Sequence, residues 1–211
     1  LDFGILGSLE KCDGDSQRLV GEKGLFEELA LHNDEQFQKY EHDTLVVTDP
    51  HAFNAFKNHY PKITGNEYKL AHYTQYLRSR LEELKPLLTE SYSRKLTFHD
   101  PCYLGRANGE YEAPRDLLKK LEVELIEMRK CKSNGLCCGA GGAQMFKEPE
   151  PGDKDVNVAR TEQAMETKPE VIAAGCPFCN TMMTDGVKHF NKEENIEVYD
   201  LAEFIDKNNA L

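Results

Sequence analysis

Positive charge is scarce in this 211-residue sequence. Its 26 lysines and arginines are outnumbered by 37 acidic residues, giving a formal net charge of −11. Nucleic-acid binding needs a basic face and anionic lipid needs a polybasic stretch, so neither is expected as a partner. Long apolar runs are missing as well, so no direct membrane span and no signal peptide are expected. Also absent is the even cysteine set of a secreted disulfide framework. There are seven cysteines, clustered in the second half, which suits a reducing, cytoplasmic setting and a metal or redox site.

What is present alternates short β-type runs with longer helical patterns. The strands expected are 44–48, 67–73, 95–99, 123–128, 170–175 and 196–200, and the helices 18–40, 52–59, 74–88, 113–121, 156–167, 178–190 and 201–209. Such alternation predicts the α/β class with a mostly parallel sheet, whose functional groups gather past the carboxyl ends of the strands. Three strands run into Asp49-Pro50, Asp100-Pro101-Cys102 and Cys176-Pro177-Phe178-Cys179. Proline favours the first helical turn, so each marks a strand-to-helix turn. Cys176 and Cys179 then face a helix N-terminus, whose dipole stabilises thiolates.

An internal repeat follows. "KCDGD" (11–15) aligns with "LCCGA" (136–140), and "VVTDPHA" (46–52) with "AAGCPFC" (173–179). Thirty-five residues separate Asp13 from Asp49 and 37 separate Cys138 from Cys176. We therefore expect two pseudo-repeated, Rossmann-like βα units, 1–90 and 91–211. Cys12 answers Cys137, while Asp13, Asp49 and Ala52 stand where Cys138, Cys176 and Cys179 stand. A first-unit counterpart of Cys102 would precede residue 1, so the chain is expected to begin inside a longer polypeptide.

The second unit reads C-x34-C-C-G-x36-C-P-x-C, five thiols from three turns. Five exceeds what tetrahedral zinc needs, and an adjacent pair is unusual for zinc. Soft thiolates in this number suit a multi-iron cluster.

"FHDPCYLGR" (98–106), "LCCGAGGAQM" (136–145), "NVARTEQA" (157–164) and "AAGCPFCNTMMTDGVK" (173–188) resemble the iron–sulfur oxidoreductases related to heterodisulfide reductase, with their cysteine-rich CCG domain. Weaker matches at 12–33 and 49–61 extend the likeness along nearly the whole chain, with a degenerate first CCG motif. The resemblance implies one 4Fe–4S cluster, of the non-cubane kind, held by Cys102, Cys137, Cys138, Cys176 and Cys179. It implies electron transfer beside a ferredoxin-type domain, a flavoprotein or a membrane subunit, and so attachment to a membrane complex through partners. The rival readings are a catalytic disulfide reductase subunit and a zinc-stabilised binding module.

The first unit is expected to be structural, with Asp49 as an N-cap; the alternative is a vestigial zinc site of Cys12, Asp13, Asp49 and His51. Cys131 reads as a surface or packing residue. His99 and Asp100 either tune the cluster or cap a turn. Arg106 either offsets cluster charge or forms a surface ion pair. The glycines at 139, 141 and 142 lack the spacing and lysine of a phosphate loop. The acidic segment 147–155 reads as a solvated loop, its alternative being a docking lid.

Overall fold

All six expected strands are present, most of them trimmed, and every pairing is parallel. The computed structural model describes residues 2–84, 86, 94–148 and 151–209. Among these, β1 (Leu45–Val47) and β2 (Leu70–His72) form a two-stranded sheet. Strands β3 (Lys95–His99), β4 (Glu124–Leu125), β5 (Val171–Ala174) and β6 (Glu197–Asp200) form a second sheet in the order β4-β3-β5-β6. Parallel pairing places the carboxyl ends of neighbouring strands on one side and requires crossover connections.

Those connections are helical. Around the first sheet run α1 (Asp15–Val20), α2 (Lys23–Gln38), α3 (Pro50–Asn58), α4 (Pro61–Thr64), α5 (Tyr73–Ser79) and α6 (Leu81–Leu84). Around the second run α7 (Glu112–Lys120), α8 (Val156–Met165), α9 (Pro177–His189) and α10 (Leu201–Asn209). The helix expected over 18–40 is two helices, because Gly21 at φ 95° ends α1 in a left-handed cap. The strand expected over 67–73 narrows to β2, because His72 turns the chain by capping α5 from its side chain. Of the helix expected over 74–88, residues 85, 87 and 88 lie outside the described residues, as does the boundary expected at 90/91.

The two sheets share a local plan. In the first, Val47 pairs with His72; in the second, Ala174 pairs with Asp200, and each pair closes its strands before a helix. His72 and Gln75 form a capping box at α5. Asp200 and Glu203 form its counterpart at α10, with Ala202 N–H donating to Asp200 and Asp200 N–H to Glu203.

Burial follows from the central position of β5, all four of whose residues are inaccessible. Val171 and Ala173 face a core of Leu96, Phe98, Leu118 and Phe204, while Ile172 faces Met128, Ala164, Met183 and Val187. This is the strand alternation of a sheet covered on both sides. The first sheet has its own core of Phe26, Ala30, Phe37, Phe56 and Tyr60. Helices α8 and α9 cross closely at Gly186, where an added Cβ would lie 2.0 Å from Thr161 Oγ1.

Candidate metal centre

Three turns at the carboxyl end of the larger sheet carry the five predicted thiols. Cys102 follows Pro101 in the turn after β3 and is half-buried. Cys176 is the N-cap residue of α9, Pro177 opens that helix, and Cys179 lies in its first turn. No side chain caps α9, so its first N–H groups remain available to an anion. Between these turns, Gly139 at φ +94° bends the chain sharply and donates its N–H to Cys137 Sγ at 3.3 Å. That left-handed turn explains the glycine after the cysteine pair, since it lets Cys137 and Cys138 both join the set.

Cys138, Cys176 and Cys179 share one buried cluster, with Cys137 packed against it. Cys138 and Cys179 lie 3.4 Å apart, sulfur to sulfur. Cys102 lies close enough to Cys137, Cys138 and Cys176 to feel their charges. Their titration is correspondingly disturbed. Hydrogen bonds from Cys102 and Cys138 hold one thiolate at Cys137. That anion, with burial, pushes the Cys102 and Cys138 thiols upward, and Cys138, Cys176 and burial do the same to Cys179. Without a cation, such a group supports few thiolates; bound metal would reverse that balance and release the protons.

Two further buried groups face this set. His99, the last residue of β3, is fully buried, and one of its ring nitrogens lies within 4.8 Å of ligand atoms of Cys138 and Cys179. Its Nδ1 accepts from Arg160 Nε at 2.9 Å, and its Nε2 has no partner among the described residues. Arg160 on α8 is also fully buried; it donates to Lys130 O and Gln163 Oε1, and its Nη2 is unpartnered among the described residues. Buried orphan donors are costly. Together with five soft donors, they fit an anionic iron–sulfur cluster.

Asp100 resolves differently. Its carboxylate accepts two bonds from Arg115, at 2.7 and 3.0 Å, and a third from Lys132 N–H, so it clamps α7 and the turn after Cys131. Arg106 forms no ion pair among the described residues; it donates to Gly135 O, tying the loop of Cys102 to the turn of the cysteine pair. Cys131 is half-buried at the start of the turn 132–134 and has no contact with another thiol among those described. The described part of 147–155 is exposed.

Two of the first-half candidates, Asp49 and His51, reach the same region. Asp49 Oδ1 is 3.8 Å from Cys176 Sγ. His51 stacks on Tyr103 at 4.1 Å and meets Phe178 edge-on at 4.8 Å, so it packs on neighbours of Cys102 and Cys179. Each of the four expected groups has a local partner: Asp49 accepts from His51 N–H and Ala52 N–H, and Asp13 accepts from Asp15 N–H. His51 Nδ1 is 2.8 Å from Asp15 Oδ2, and Cys12 Sγ accepts from Gly14 N–H at 3.5 Å. Sequence reasoning missed Asp15, Tyr103 and Arg160. The polar buried face of α8, which carries Arg160, Thr161 and Gln163, was the available signal for the last.

A parallel α/β scaffold with clustered thiols at its strand ends defines a cysteine-rich, metal-binding class of protein, and comparison with known proteins gives the family. Residues 96–184 match the cysteine-rich domain family, CCG; the chain carries a domain of this family. It is 43% identical over 206 residues to the probable iron-sulfur-binding oxidoreductase FadF of Bacillus subtilis, covering 97% of this chain and 29% of that protein. It is 42% identical to the EtfAB:quinone oxidoreductase of Syntrophomonas wolfei, covering 98% and 30%. One polypeptide of the dihydromethanophenazine:CoB–CoM heterodisulfide reductase of Methanosarcina barkeri is 31% identical, covering 97% and 51%. The chain thus spans about a third to a half of the length of these relatives.

Proposed function

We propose that the chain is the cluster-binding part of an iron–sulfur oxidoreductase and passes electrons through one 4Fe–4S cluster of the non-cubane kind. Its ligands in this reading are Cys102, Cys137, Cys138, Cys176 and Cys179. The buried cluster of Cys138, Cys176 and Cys179, with Cys137 packed against it and Cys102 within electrostatic reach, is the observation that carries the reading. The cluster would supply the redox chemistry. This chain's residues would hold it, exclude water from Cys138, Cys176 and Cys179, which are buried, and fix its field. A flavoprotein, a ferredoxin-type domain or a membrane subunit would be the donor or acceptor, in keeping with relatives named EtfAB:quinone oxidoreductase and probable membrane-anchored ferredoxin. No helix among the described residues is long and apolar enough to cross a membrane, so a membrane complex would be reached through partners. The chain would divide at 90/91 into a structural unit and a cluster unit.

Catalytic disulfide reduction is the second reading. Cys102 and Cys137 are only half-buried, which leaves the cluster edge open to a small thiol, and part of a heterodisulfide reductase is among the relatives. Titrating a thiol into the cluster-loaded protein separates the two readings by electron paramagnetic resonance. An unchanged spectrum, with reduction by a flavoprotein, supports electron relay; a new spectral species supports the reductase.

A further inference from the structure

We infer that His99 donates its Nε2–H to the cluster edge at Cys138 and Cys179, and that Arg160 is the positioning residue that fixes the imidazole in this tautomer. The inference rests on the cluster reading above. It starts from the chemistry of arginine, which has donors and no acceptor. Because Arg160 Nε points at His99 Nδ1 from 2.9 Å, Nδ1 must accept, and the single proton of the neutral ring sits on Nε2.

A protonated Nε2 offers no lone pair. His99 is therefore a donor to the cluster and not a sixth ligand, although one of its two ring nitrogens lies within 4.8 Å of ligand atoms of Cys138 and Cys179. The donor has no partner among the described residues, and neither has Arg160 Nη2. A bound cluster's sulfur would give His99 Nε2–H an acceptor and offset the charge of Arg160. Arg160 itself is held from three directions, by His99, Lys130 O and Gln163. The close α8–α9 crossing at Gly186 fixes the helix that carries it. Hydrogen bonds to cluster sulfurs stabilise the more negative, reduced state and raise the potential.

The test compares anaerobically loaded wild-type protein with His99→Leu and His99→Gln, measuring iron content, midpoint potential and nuclear couplings to the reduced cluster. His99→Leu is expected to keep its iron and to shift the reduction equilibrium about tenfold toward the oxidised form, about 59 mV for a one-electron couple. His99→Gln, which restores an N–H donor, is expected to recover most of that shift. Wild-type protein should show a weak nitrogen coupling and an exchangeable proton lost in deuterated water. An unchanged potential in an iron-replete His99→Leu overturns the inference, as does a strong nitrogen coupling, which would make His99 a ligand. If His99→Leu loses its iron, the couplings of the wild-type protein decide alone. Wild-type protein that binds no iron brings down the cluster reading itself, and the inference with it.

Discussion

The two cysteine turns of this chain share a backbone and differ in what fills it. In both, a glycine two residues beyond a cysteine adopts positive φ, +80° at Gly14 and +94° at Gly139, and donates its N–H to that cysteine's sulfur. In both, a strand leads into a helix that opens on proline, at Pro50 and Pro177. The difference lies in the anion slot. Asp49 caps α3 with its own carboxylate, whereas no side chain caps α9, where Cys176 takes the equivalent place. The first helix start is capped by an aspartate of its own; the second leaves its N–H groups uncapped beside the thiols. At α3 a carboxylate side chain thus meets the anion requirement that the α9 N-terminus leaves open.

The largest expected break in this comparison is at Cys138. Cys138→Ser should abolish iron binding after anaerobic reconstitution, while Cys12→Ser should leave the iron content unchanged, as assayed by metal and sulfide analysis.

Backbone changes come next. Gly14→Ala combines a strained φ with a Cβ 2.7 Å from Phe26, and Gly186→Ala forces α8 from α9. Each should cost about 1–3 kcal/mol in chemical denaturation. Gly139→Ala, whose Cβ would meet Val156 at a milder 3.1 Å, should cost less stability and more iron.

Acid sharpens the comparison further. His72 lies at the end of β2, with the backbones of Thr48 and Gly175 beside it, and burial lowers its pKa to about 4. Its folded pKa lies below the unfolded value near 6.5, so the unfolded chain binds the proton first. Stability is therefore full above about pH 6.5 and falls as the pH drops toward 4, by about 2–3 kcal/mol from this residue. Denaturation midpoints at about pH 7 and 4.5, on either side of most of that window, should show the loss, and His72→Gln should reduce it.

The smallest effect is expected at Asp49. Asp49→Ala removes the α3 cap for about 1 kcal/mol, read as a lower Tm, without loss of iron.

Much of this difference was legible in the sequence. The six strands were marked by β-branched and aromatic runs, and the x-Pro dipeptides located the turns that present Cys102, Cys176 and Cys179. Element ends were less legible, because they depend on caps. His72 and Gly21 end a strand and a helix through side-chain and left-handed geometry, which periodicity does not register. The packing of His51 on Tyr103 was invisible because it joins residues 52 positions apart. Arg160 sat in a recognised motif, yet its role depends on which groups surround it inside the fold, which only coordinates reveal. Asp100 was ambiguous beside Cys102 until Arg115 was seen to hold both of its oxygens.

Iron and acid-labile sulfide, counted per chain after anaerobic reconstitution and paired with an electron paramagnetic resonance spectrum, test the central claim most directly. One cluster in the second turn predicts about four irons and four sulfides per chain, the same in Cys12→Ser and none in Cys138→Ser. Zinc alone, with no iron taken up, would contradict the account and leave a structural metal module.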